Sequence, residues 1–144
     1  MIVLDSNVIS ALMRTEPDLV VLAWLDTQPA TSVWTTSICV FEIRFGINIL
    51  APGKRRHFLD KAFDRVLREA LAGRVLDFDN AAATTAAKLH ARLRAQGVGI
   101  EWRDLQIASI AATHNGTLAT RNTKHFTHTG ITLIDPWSAS EAGP

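Results

Sequence analysis

Short β-prone runs separated by helix-length amphipathic segments constrain this chain more than any single residue does. The runs fall at 2–4, 33–36, 75–78, 117–119 and 132–134. Between them, apolar residues recur at helical spacing. Leu19, Val20, Leu22, Ala23 and Leu25 form one stripe, and Phe58, Leu59, Ala62, Phe63, Val66 and Leu67 another. Leu105, Ile107, Ala108, Ile110 and Ala111 supply a third. A helix that follows a strand carries the chain back along the sheet, so successive strands pair in parallel. The expected class is α/β, with a mostly parallel central sheet of about five strands flanked by helices.

Local punctuation sets the boundaries. Ser6 is placed to cap a helix ending near Arg14, where Thr15-Glu16-Pro17 breaks it, and Pro17 suits the first turn of the next. Thr36 or Ser37 caps a helix over 38–50, followed by the Ala51-Pro52-Gly53 loop. A long helix over 54–72 ends at Gly73. Asp79 or Asn80 caps 81–96, and Gly97-Val98-Gly99 forms a hinge-like loop before a helix that opens near Asp104 and closes at Asn115-Gly116. Residues 138–144 read as a loose tail. With no internal repeat or low-complexity segment, 1–144 is expected to form one domain.

Composition excludes several classes of function. The chain has 144 residues, 47% of them apolar and 20% charged, which is a globular balance. Its formal charge of +1 gives no global basic character, so a nucleic-acid partner must be met by a local patch. The lone Cys39 excludes an internal disulfide and a thiolate zinc site, and its apolar neighbours mark it as core filler. The five His residues lack metal-ligand spacing, so no His-based zinc site is expected. No segment approaches the ~20 apolar residues of a membrane span, and the start of the chain has no signal-peptide pattern. A soluble, cytoplasmic protein with no membrane contact is expected.

Three acids carry the chemistry. Asp5 follows the first run, at the carboxyl edge of a parallel sheet, where ligands bind in open α/β folds. It could equally cap the helix behind it, although Ser6 or Asn7 can also do that. On a helical wheel over 38–50, Cys39, Val40, Ile43, Ile47 and Leu50 share one face, and Arg44 and Asn48 mark the solvent side. Glu42 falls away from that polar side. A partly buried carboxylate needs a partner, either a metal or a buried Arg. Gly46, one turn on, permits close approach of another element. Asp104 opens its helix, where an acid also complements the helix dipole. Together the three would make an oxygen-rich pocket suited to Mg²⁺ or Mn²⁺.

The loop after the fourth run, Thr120-Arg121-Asn122-Thr123, leaves the same sheet edge. Asn122 offers a neutral carbonyl oxygen, Thr120 a hydroxyl for carboxylates, and Arg121 and Lys124 are candidate phosphate contacts. Basic stretches at Lys54-Arg55-Arg56-His57 with Arg65 and Arg68, and at Lys88, Arg92 and Arg94, are either solvated helix faces or nucleic-acid contacts. Met13, Val21 and Trp24 in the first helices suit a partner surface or the core equally.

Four blocks now carry a resemblance: residues 1–9 (MIVLDSNVI), 41–46 (FEIRFG), 104–108 (DLQIA) and 119–126 (ATRNTKHF). In this order and spacing they resemble a PIN-domain ribonuclease, and the closing Ile134-Asp135-Pro136-Trp137 resembles the VapC and FitB branch, the toxins of bacterial toxin–antitoxin pairs. The resemblance covers essentially the whole chain. It implies a PIN-like three-layer sandwich and a Mg²⁺- or Mn²⁺-dependent endoribonuclease acting in a type II toxin–antitoxin system. Its catalytic positions map onto Asp5, Glu42, Asp104 and Asn122, with Asp5 and Asp104 as direct or water-mediated metal ligands and Glu42 either holding a metal-bound water or acting as general base. Ser6, Asn7 and Thr120 would support them. It further implies an RNA substrate, a homodimer and a DNA-binding antitoxin. Two departures stand out: Asn122 where the family often has Asp, and Glu101-Trp102-Arg103 where small residues or an acid usually precede Asp104.

Other readings fit less well. A phosphoacceptor receiver domain needs adjacent acids after the first strand, and a haloacid-dehalogenase-like phosphatase needs a second Asp two residues beyond the first. Ser6 and Asn7 occupy those places. A PIN-like module that binds antitoxin or RNA without cleaving is the remaining alternative.

Overall fold

The computed structural model describes residues 1–139. Among them, strands β1 (Ile2–Leu4), β2 (Val33–Thr36), β3 (Val75–Leu76), β4 (Thr117–Ala119) and β5 (Thr132–Ile134) form one sheet in the order β3-β2-β1-β4-β5. Every pairing is parallel, with Val3 beside Trp34 on one side and Leu118 on the other. The helices are α1 (Ser6–Met13), α2 (Leu19–Asp26), α3 (Ser37–Asn48), α4 (Lys54–Arg65), α5 (Asn80–Ala95), α6 (Trp102–Thr113) and α7 (Pro136–Ala139).

The sheet separates two cores, because successive strand side chains point to opposite faces. Leu4 joins Val8, Ile9, Val21, Ile43 and Phe63 on the side covered by α1 to α4. Val3 joins Leu89, Ile107, Leu118 and Phe126 on the side covered by α5 and α6. This is the expected three-layer arrangement. Val21 and Trp24 are buried at 0% and 6% exposure, so those residues are core and not a partner surface. Leu19 and Val20 are the exposed apolar residues of α2.

Several expected boundaries move. Asp5, not Ser6, caps α1, because its carboxylate reaches the Ser6 N–H at 2.8 Å. The second helix starts two residues after Pro17, where Asp18 accepts from Val20 and Val21 N–H. The long helix expected over 54–72 ends as regular α-helix at Arg65 and widens into a π-type turn over Val66–Ala70. The wider turn seats Leu71 at 0% exposure, and Arg74 then pins the exit by donating to Val33 O at 2.7 Å. The third strand is shorter than expected, ending at Leu76. Ser138 belongs to α7, capped where Asp135 accepts from Trp137 N–H at 2.9 Å, so the tail does not begin there. The remainder of that tail, 140–144, lies outside the described residues.

Arg44 does not mark a solvent side. It ties α3 to α4, pairing with Asp60 at 3.5 Å and Asp64 at 2.9 Å while its guanidinium sits 4.5 Å above the Phe63 ring. The outward apolar stripe of α3 is instead Phe41, Phe45 and Ile49.

Candidate active site

The sheet order creates the site. The chain runs outward from β1 to β2 and β3, then returns to place β4 on β1's other side. Neighbouring strands whose connections diverge leave a crevice at their carboxyl ends, the usual ligand position in open α/β sheets. Asp5 directly follows β1 there, and Thr120 directly follows β4 beside it.

Their contact is close. Thr120 Oγ1 donates to Asp5 Oδ2 at 2.8 Å, and the Asp5 N–H donates to Ala119 O at 2.9 Å. Thr120 Oγ1 also accepts from Asn7 Nδ2 at 3.2 Å and from the Asn122 N–H at 3.0 Å. Asn7 Oδ1 accepts in turn from the Arg121 N–H at 3.2 Å. The buried hydroxyl thus locks the loop after β4 onto the start of α1. Asp5 Oδ1 receives the Ser6 N–H, the Ser6 hydroxyl at 3.5 Å and the Cys39 thiol at 3.8 Å.

Glu42 is brought in by α3, whose start is fixed where Thr36 Oγ1 accepts from Cys39 N–H. Ligand atoms of Asp5, Cys39 and Glu42 lie within 4.8 Å of one another. Burial raises the Glu42 pKa first, and the negative charges of Asp5 and Asp104 raise it further against the opposing pull of Arg103. Burial, then the charges of Asp5 and Glu42, push the Cys39 thiol up to about 12, so it remains an S–H and a core residue. Asp104 stands outside this tight cluster yet shares its field. Burial raises its pKa, His125 pulls it back, and Asp5 raises it again. Its Oδ2 lies 3.4 Å from His125 Nδ1.

The remaining expected residues divide. Ser6, Asn7 and Thr120 are held around Asp5 as described. Asn122 is tied in through its backbone, and its residue is exposed. Arg121 lays its guanidinium 4.7 Å from the Trp137 ring, whose Nε1 donates to Asp18 Oδ2 at 2.9 Å. It therefore clips α7 to the site loop. Lys124 lines a cleft of about 340 Å³ that also includes Asp104 and His125. Two neighbours escaped sequence reasoning: His125 against Asp104, and Arg103, which acts on Glu42 and packs 5.5 Å from the Phe41 ring. The signal that bears on His125 is its place three residues after Asn122, where one short 3-10 turn, Thr123–Phe126, carries it to α6.

Gly46 was expected to admit another element of the fold. A side chain placed there would meet nothing within 4 Å, and the space belongs to a cleft of about 370 Å³. Its lining is mainly apolar, from Met13, Ile43, Ile47 and Leu59, and it ends at Ser6 and Glu42.

The donor set fits a hard divalent cation. The carboxylate oxygens of Asp5 and Glu42 converge at a partly buried point, and burial first, then neighbouring negative charge, raises the pKa of Glu42 and of Asp104 beside it. No helix among the described residues is long and apolar enough to cross a membrane.

Comparison with known proteins gives a consistent picture. The family model described as PIN domain matches residues 2–131. A VapC ribonuclease of Sinorhizobium fredii is 42% identical over 137 residues, covering 95% of this chain and 98% of that protein. The crystal structure of FitAcB from Neisseria gonorrhoeae superposes with a TM-score of 0.85 at 35% identity, covering 95% of this chain and 99% of that one. VapBC2 from Rickettsia felis, bound to a DNA fragment from its promoter, gives a TM-score of 0.78 at 26% identity over 93% of this chain and 98% of that one.

Proposed function

This chain belongs to the PIN-domain family, and from that premise we propose that it is a Mg²⁺- or Mn²⁺-dependent endoribonuclease acting as the toxin of a type II toxin–antitoxin pair. The observation that carries the reading is the convergence of Asp5 and Glu42 at the β1–β4 crevice, with Asp104 in the same field. The resemblance to a VapC ribonuclease over nearly the whole chain supports it.

Asp5 and Asp104 would hold the ion, directly or through water, with Glu42 completing the set. Such an ion supplies Lewis acidity toward phosphoryl oxygens and lowers the pKa of a bound water. Glu42, raised by burial, is the group suited to take a proton from the attacking water. Thr120, Asn7 and Ser6 fix the Asp5 carboxylate, so it need not reorient as charge develops. Asn122 contributes a neutral amide from the adjacent loop, and Lys124 a cation for RNA phosphate. The described residues, 1–139, would act as one domain, in the cytoplasm.

The test is incubation of purified protein with an RNA pool and Mn²⁺, Mg²⁺ or chelator, followed by mapping of the cut ends. Internal cuts that need the metal are expected. Intact RNA under all conditions would leave only the non-cleaving binding module.

Two partners follow. The stripe of Phe41, Phe45 and Ile49 is 57%, 49% and 68% exposed, and the two Phe rings stack at 6.0 Å. A helix face this apolar is costly in water and supports a homodimer through α3. Phe45→Glu is expected to shift the particle to the monomer mass in sedimentation; an unchanged mass, or a monomeric wild type, counts against that interface. The apolar cleft at Gly46, which leads to Glu42, suits a segment of a DNA-binding antitoxin, a reading supported by the promoter DNA bound to VapBC2 of Rickettsia felis. Growth arrest that a co-expressed antitoxin fails to relieve would argue against it.

A further inference from the structure

We propose that the cleft beside Asp104 is a base pocket for one RNA nucleotide flanking the scissile bond, selecting bases that present amino donors, guanine above all, and disfavouring uracil. The proposal rests on the nuclease reading for what occupies the cleft, and on the cleft's own chemistry for the selectivity.

At about 340 Å³ the cleft is at the small end of ligand pockets, which run roughly 300–1,000 Å³ and suit a single compact group. Leu93, Val98 and Ile100 contribute apolar surface to its lining, as a base face requires. Gly99 leaves one wall open, since a side chain there would meet nothing within 4 Å. The wall toward the acid site is Asp104 itself, so an occupant lies next to the reacting phosphate. His125 stands at that junction with its side chain 57% exposed, tethered by its contact with Asp104. An imidazole so placed is a stacking surface for an unstacked base, the form in which RNA sequence is usually read.

The opposite wall is preformed. Arg92 donates to His128 O at 3.3 Å and Thr129 O at 3.2 Å, and Thr129 Oγ1 donates to Phe126 O at 2.6 Å. This holds the loop that presents Lys124 and His128, two donors for the nucleotide's phosphate.

Glu101 determines the selectivity. It lines the cleft, is exposed, and makes no ion pair among the described residues. Its side chain makes no capping bond to α6 either. A carboxylate repels phosphate and accepts from N–H groups, so a base edge is the part of a nucleotide that suits it here. Guanine offers adjacent N1–H and N2–H donors to its two oxygens. Uracil offers one N–H between two carbonyls, which would oppose the carboxylate.

Binding and cleavage test the two layers separately. Non-cleavable 2′-O-methyl oligouridine with and without one central guanosine is titrated against the full chain with Mg²⁺ by fluorescence anisotropy. The guanosine strand should bind about tenfold tighter, the usual scale of one good base contact. Glu101→Ala should remove that difference, and Lys124→Ala should weaken both strands alike. In cut-end mapping, guanine should be enriched at one position beside the cut, and Glu101→Ala should erase the enrichment. Equal binding of the two strands by wild type, or a preference that survives Glu101→Ala, overturns the pocket. Metal-dependent cuts with no flanking preference overturn it too, while leaving the nuclease intact. Guanosine-selective binding that depends on Glu101, without any cleavage, upholds the pocket and overturns the nuclease.

Discussion

Asp5→Asn is expected to lower metal-dependent RNA cleavage by about a thousandfold on the several kcal/mol that a positioned divalent ion supplies, while leaving the melting temperature close to that of wild type. The two halves have different causes. Activity falls because an amide is a poor ligand for a hard cation and Asp5 is the most buried acid of the cluster, at 5% exposure. Stability holds because Asn caps a helix about as well as Asp, so the bond from Ser6 N–H to the side-chain oxygen survives. The bond from Thr120 is weakened or lost when the new amide turns its N–H toward it, since Thr120 Oγ1 already accepts from Asn7 and Asn122, at a cost of about 1–3 kcal/mol. Against that, the negative charge that raises the pKa of both Glu42 and Asp104 is gone. Asp5→Ala separates the effects, because it also removes the cap and should lower stability by about 1 kcal/mol. Expressed in cells, Asp5→Asn should not arrest growth where wild type does. A pure Asp5→Asn protein that cuts RNA at the wild-type rate would sink the assignment.

Strand positions were legible because a parallel sheet covered on both faces asks for the same thing everywhere: short apolar, β-branched runs. Four of the five runs match residue for residue. Helix ends were less legible, because caps are decided between neighbours by backbone geometry. Asp5, Ser6 and Asn7 are all good caps, and the chain direction leaving β1 selects Asp5. On α3 the wheel identifies the inward face, with Cys39, Ile43 and Ile47 buried and Asn48 exposed, and only Arg44 departs from it, because its partners Asp60 and Asp64 lie on a different helix. Phe41 and Phe45 are apolar without being core. In the site, Asp5 and Glu42 could be inferred from their places on a strand end and a helix. His125 against Asp104 and Arg121 against Trp137 could not, since each contact joins elements whose relative position only the packed fold sets.

Adding Mn²⁺ to the metal-free protein should raise its melting temperature at neutral pH, and the increment should disappear on acidification into the carboxylate range. Glu42 and Asp104 both have raised native pKa values, with burial as the first cause. A carboxylate raised in the folded state binds its proton more tightly there than in the unfolded chain. Stability therefore falls as pH rises through the unfolded value, near 4, and the loss is complete above the native value. Asp18 and Asp64 act in the opposite sense, because hydrogen bonds from Trp137 and Arg44 lower their pKa values. The raw stability curve mixes both signs, whereas the difference with and without Mn²⁺ isolates the acid cluster. At a hundredfold excess over Kd the ion contributes about 2.7 kcal/mol, or roughly 10 °C for a chain of this size. At low pH, protons occupy the same oxygens and the contribution vanishes. Asp5→Asn and Asp104→Asn should each flatten the difference curve. An increment that is the same at acid and neutral pH, or that survives both substitutions, would place the ion elsewhere on the molecule.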